Sequence, residues 1–157
     1  MSDAAVALRS LPRRFREIVA GPEGDEAWER LVRMLDASDR SALGYVVRTT
    51  AEVTALGTAI AALQMTARPS VSLSTIEQAR TDVPQASTVA ELTAQLEQAA
   101  GRAADAIHGR QPDDFDRNCV ADGAELSARD LVNHVVAFAV ANLRHAQAAL
   151  DAAKNRH

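Results

Sequence analysis

Two histidines, His134 and His145, lie eleven residues apart near the end of the chain, on what reads as one long helix. Eleven residues are three helical turns, so both project from nearly the same side, about 16 Å apart along the axis. That distance prevents them from sharing one metal ion, and zinc on a helix wants ligands three or four residues apart. The positions that could supply such a partner hold Phe138, Ala141 and Ala149. What remains open is acid/base chemistry by an imidazole lining a pocket between helices. The competing reading is two partly buried histidines with ordinary hydrogen bonds. Between them, Asn142 falls inside an apolar arc, where a buried amide must bond across the helices or to a ligand. Phe138 and Ala141 flank it and would shape the same space.

On an earlier helix Tyr45, Arg48 and Glu52 project from one side. Arg48 and Glu52 are four apart and able to pair. As an exposed pair they would contribute about 0.3–0.5 kcal/mol and carry no function. Facing inward, they would form a fixed charge site that binds an anion or orients a proton transfer. Most helical charges are solvated, so the sequence favours exposure. The single cysteine, Cys119, has no neighbouring histidine or basic cluster to make it a thiolate nucleophile, and reads as a small buried hydrophobe. Asp113, Asp114 and Asp116 lack calcium-loop spacing and read as a solvated helix start. No phosphate loop, carboxylate pair or nucleophile elbow is present.

The elements that must position these groups read as four long helices and two shorter ones. The first runs from Asp3 to Ala20, with Leu8, Leu11, Phe15 and Ile18 on one face and Pro12 predicting a kink or break. A short helix follows near Asp25–Leu35, bearing Trp28, Leu31 and Leu35. The second long helix starts at Ser38 or Asp39, ends near Met65 before Arg68-Pro69, and carries Gly44 and Gly57 for close packing. Residues 66–87 read as irregular, with one turn of helix at Ser74–Arg80. Thr88 and Glu91 form a capping box for the third long helix, whose inward stripe is Val89, Leu92, Leu96, Ala99, Ala103 and Ile107, with Gly109 closing it. Pro112–Asp116 is one helical turn, and Asp122-Gly123 a tight turn. Ser127 to Asp130 is a second capping box, opening a helix that reaches Ala153 and buries Leu131, Val132, Val135, Val136, Ala139, Leu143, Ala146 and Leu150. His108 and His157 read as surface residues.

Composition supports the helical reading. Of 157 residues 33 are alanine, the best helix former, while aromatic residues supply 3%. That excludes a sandwich or barrel and predicts one all-α domain over residues 1–157, a four-helix bundle with short additional helices. A net charge of −4, with no Lys/Arg run beyond Arg13-Arg14, argues against a nucleic-acid partner. The basic residues are 16 Arg and one Lys, the signature of a GC-rich bacterial genome. The absence of a signal-like start, of a membrane-length apolar run and of cysteine pairs predicts a cytoplasmic protein with no membrane partner.

Two stretches carry a resemblance. Ser41-Ala42-Leu43-Gly44-Tyr45 with the later Arg68-Pro69, and Phe115-Asp116-Arg117, Asp122-Gly123 and Leu126 to Leu131, resemble the second and last helices of DinB-like bundles. That superfamily is similar in architecture to mycothiol-dependent maleylpyruvate isomerase and to bacillithiol and mycothiol transferases, which hold a divalent metal with three histidines. The resemblance implies a DinB-like bundle with a central pocket. It puts the three ligand positions on Arg48, Ala141 and His145, so one ligand survives, and a guanidinium there would repel a cation. The implied protein is metal-free, with no cofactor. It binds a small, anionic metabolite and is able to catalyse a cyclisation, isomerisation or proton transfer. His145 would be the acid/base and Arg48 the charge stabiliser with Glu52, while Tyr45, His134, Phe138, Ala141 and Asn142 bind the ligand. Two alternatives stand beside it: a non-catalytic structural or interaction protein acting as a homodimer, and a metal-dependent thiol transferase whose ligands lie at other positions.

Overall fold

The structure is a computed structural model that describes residues 1–19, 42–62, 70–71 and 89–154. Its elements are α1 (Ser2–Val19), α2 (Ala42–Ala62), β1 (Ser70–Val71), α3 (Val89–His108), a 3-10 turn (Pro112–Asp116), β2 (Asn118–Ala121), β3 (Ala124–Ser127) and α4 (Ala128–Lys154). The chain is mostly helical, as its alanine content requires. The expected short helix at 25–35, the caps at Ser38 or Asp39 and at Thr88, the stop at Arg68-Pro69, the turn at 74–80 and His157 lie outside the described residues.

The four helices pack as a ring. α1 contacts α3 and α4, and α2 contacts the same two, so α1 and α2 sit diagonally. Each helix turns its stripe of threes and fours inward. On α1, Leu8, Leu11 and Phe15 are buried; on α3, Leu92, Leu96, Ala99, Ala103 and Ile107; on α4, Leu131, Val132, Val135, Ala139, Leu143 and Ala146. The α1–α3 pair runs antiparallel, tied on its outer side by Arg9–Asp105 at 2.7 Å and Arg16–Glu97 at 2.8 Å. Those exposed pairs fix register more than they stabilise.

Pro12 does not break α1, which continues through it to Val19. The missing N–H leaves one carbonyl of the preceding turn without its helical donor. Burial of Leu8 and Leu11 before it and Phe15 after it holds both sides of the helix on the same core. Packing thus overrides the local signal.

Close approach of α2 and α3 depends on Gly57. A Cβ built there would lie 3.3 Å from the Ala103 Cα and 3.4 Å from the Ala103 nitrogen. The packing role expected of this glycine is therefore borne out. Gly101 is different, since a Cβ there meets nothing within 4 Å.

The sequence reading contained no strands, and here it is corrected. β2 and β3 form an antiparallel hairpin, and β1 joins β2 in parallel, pairing Ser70 with Val120 and Val71 with Ala121. Part of the stretch read as irregular is thus a short strand. The expected tight turn is the hairpin tip: Asp122 at φ 51° and Gly123 at φ 83° both lie in the left-handed region, as a type I′ turn requires. The sheet leads directly into α4, where Ser127 Oγ accepts the Asp130 N–H at 3.1 Å. That is the Ser127 half of the predicted capping box. The 3-10 turn is the predicted turn of helix, and its start is secured by the Gln111 N–H donating to Asp114 Oδ2 at 3.1 Å. Gly109 follows α3, its N–H bonded to the Asp105 carbonyl at 2.9 Å.

Two glycine substitutions should move stability in opposite directions. Gly57→Val forces a side chain against the α3 backbone and should cost about 1–3 kcal/mol. Gly101→Ala fills open space in mid-helix and should gain about 0.5–1 kcal/mol. Urea denaturation followed by circular dichroism measures both. A Gly57→Val variant as stable as the parent would contradict the close α2–α3 contact.

Candidate functional site

α2 and α4 meet in a seam that brings together most of the residues singled out in the sequence. The Tyr45 ring stacks on His145 with centroids 5.4 Å apart and planes at 28°. The Arg48 guanidinium lies over the Phe138 ring, 6.0 Å from its centroid. As numbering rises on α2 it falls on α4, so the two helices are antiparallel. Asn142 lies between these two contacts along α4, and Glu52 lies one turn beyond Arg48 on α2. His134 stacks on Phe138 at 6.1 Å, extending the row.

Burial divides the row into an interior and a rim. Glu52 is 4% exposed and Asn142 2% exposed. Tyr45, Arg48, Phe138 and Ala141 are half-buried, and His134 and His145 are exposed. Two expectations are corrected by these values. Glu52 is not a solvated helical charge. It shares a buried stripe with Thr49, Val53, Leu56, Ala59 and Ile60. Its place three residues after Thr49 and four before Leu56 is the signal that marks it as inward-facing. The histidines, in turn, are not partly buried in hydrogen-bonded niches. Each lies on the rim with its ring against an aromatic neighbour.

The interior is electrically unusual. Oε2 of Glu52 and Nδ2 of Asn142 are buried and have no hydrogen-bond partner among the described residues. Loss of hydration disfavours the carboxylate and pushes the Glu52 pKa from 4.5 up to about 7, with the Arg48 guanidinium opposing that rise. Arg48 thus acts on Glu52 through its charge, while its planar face engages Phe138. Burying an ionised carboxylate is costly, so near neutrality the group is poised between its two forms. It can give or accept a proton without leaving its place.

Thr49 is also buried, but its Oγ1 bonds the Tyr45 carbonyl at 2.8 Å, so its polarity is spent locally. Cys119 is fully buried on β2, and burial pushes its thiol pKa up while Arg117 pulls it down. It is the small hydrophobe expected from the sequence. Asp113 and Asp116 are exposed, as expected of a solvated turn, and His108 is exposed. Among the described residues no three His, Cys, Asp or Glu side chains are grouped to hold a metal ion, and no helix is long and apolar enough to cross a membrane.

The sign of the Glu52 shift fixes a pH dependence. The folded state holds its proton to about pH 7, whereas the unfolded chain releases it near 4.5. Folding therefore gains proton-linked support at low pH that is lost as pH rises from about 4.5 through 7, roughly 3 kcal/mol in all. Glu52→Gln removes this loss. The variant should match the parent at pH 4.5 and exceed it by about 1–3 kcal/mol at pH 8. Thermal unfolding of both proteins across this range reads the difference, and a stability gap that does not change with pH would contradict it.

Compared with protein-family models, with curated proteins and with solved structures, the chain matches none.

Proposed function

We propose that this chain is a DinB-like bundle whose α2–α4 seam binds a small anionic metabolite and transfers a proton on it. The observation that carries the reading is Glu52: a carboxyl only 4% exposed, with an oxygen that has no partner among the described residues and a pKa near 7, next to a guanidinium. A group so placed suits isomerisation or cyclisation, which need a proton removed at one atom and returned at another. Arg48 receives the anionic end of the ligand and stabilises charge that develops during the reaction. Asn142 donates to an oxygen of the ligand. Tyr45 and Phe138 form apolar walls, Ala141 leaves room between them, and His145 at the rim exchanges the proton with solvent. His134 extends the rim beyond Phe138. No step in this scheme calls on a metal or a cofactor.

A second reading, a non-catalytic partner of itself or another protein, has one observation in its favour. A groove of about 260 Å3 runs between α2 and α3, lined by small residues that include Gly57, Ala61, Ala99 and Ala106. Such a surface lets another helix approach closely. Sedimentation of the purified protein distinguishes the readings, because a homodimer would double the 16.7 kDa mass.

A panel of small mono- and dicarboxylates tests the first reading. At least one should raise the melting temperature of the parent, more at pH 6 than at pH 8, because a protonated Glu52 does not repel the anion. Arg48→Ala should abolish the effect, and Glu52→Gln should abolish its pH dependence. His145→Ala should keep binding and slow any turnover. A parent that responds to no carboxylate, or an Arg48→Ala variant that responds as the parent does, would remove the proposal.

A further inference from the structure

At one end of the bundle, away from the α2–α4 seam, a cavity of about 240 Å3 opens where the start of α1, the end of α3, the 3-10 turn and the first turn of α4 converge. Three of its lining residues, His108, Arg110 and Arg129, carry basic nitrogens. Ile107 and Phe115, 3% and 2% exposed, give it an apolar floor. Among the described residues no carboxylate lines it, and Asp116 reaches Arg129 from its edge. In a chain of net charge −4, a concavity that gathers two arginines runs against the average surface. The volume lies below the usual range for drug-sized ligands and has room for a ring-sized molecule.

We infer that this cavity is a second small-molecule site, which takes a ligand with one carboxylate or phosphate group on an apolar body. The guanidiniums present planar arrays of donors that match either anion, and the apolar body would rest on Phe115 and Ile107. Arg129 now contacts Asp116 at 3.4 Å, with side chains 43% and 71% exposed. An exposed pair of this kind holds weakly, so an incoming anion can take the place of Asp116. The site belongs to different helix ends from the seam and needs neither Arg48 nor Glu52.

Calorimetric titration in phosphate-free buffer tests the inference, with phenyl phosphate and benzoate as anionic probes and phenol as the neutral control. One or both anions should bind saturably and phenol should not; which anion binds tells whether the site prefers phosphate or carboxylate. Arg110→Ala and Arg129→Ala should each weaken binding at least tenfold, and Arg129→Lys should fall between. Arg14→Ala, an exposed change on α1, should leave affinity unchanged. Should an alanine variant fail to fold, Arg129→Lys retains the charge and gives the comparison. Absence of saturable binding by either anion, phenol binding as tightly as the anions, or parental affinity in the arginine variants would overturn the inference. Loss of binding in Arg48→Ala alone would move the anion to the seam and overturn it too.

Discussion

A carboxyl group held out of water is the constraint around which the α2–α4 seam is organised. Glu52 occupies a position on α2 that helical geometry turns inward, between Thr49 and Leu56, and there it is 4% exposed. Hydration that an exposed glutamate would keep is lost, and its carboxylate form becomes costly. The guanidinium of Arg48 offsets part of that cost from one turn away. The aromatic residues then follow: Phe138 lies against Arg48, and Tyr45 closes on His145. What would be a defect in an ordinary helical core is, in this seam, a proton held close to neutrality.

Such a group is useful only if the helices around it keep their places. Small residues do this. Gly57 lets α2 sit directly on the α3 backbone at Ala103, and Ala99, Ala100, Ala103 and Ala104 fill α3's inward side. Alanines lose no side-chain freedom on burial, so ordering them costs little entropy. The larger fully buried side chains, Phe15, Leu8, Leu11, Leu56, Ile60 and Leu96, carry the bulk of the hydrophobic stabilisation. At the far end, the three-stranded sheet and the Ser127 cap fix where α4 begins, and with it the height of Phe138, Asn142 and His145 along the seam.

The helices were legible because their signals are repeated. Leu92, Leu96, Ala99, Ala103 and Ile107 recur at threes and fours, and no single residue decides the reading. The seam was half legible. Asn142 stood out because it interrupts an apolar arc, and the Arg48–Glu52 spacing was visible, but whether that pair faced water or α4 depended on how the helices pack. The buried stripe from Thr49 to Ile60 carried the answer and was outweighed by the rule that helical charges are solvated. The strands were missed for another reason. Asn118–Ala121 and Ala124–Ser127 are four residues each, too short for alternation to register, and β1 pairs with residues far along the chain, Ser70 with Val120 and Val71 with Ala121. Asp122-Gly123 was read as a turn, although that dipeptide between two short segments also signals a hairpin. The break that Pro12 could introduce is absent, since the prolyl signal is local and the burial on both sides of it is not.

The most direct measurement is the titration of Glu52 itself, by carbon-13 NMR of its side-chain carboxyl, assigned through Glu52→Gln. The account predicts a midpoint near pH 7, rising further in Arg48→Ala, where burial acts without the opposing charge. A midpoint near the ordinary value of 4.5, unchanged by loss of Arg48, would contradict it.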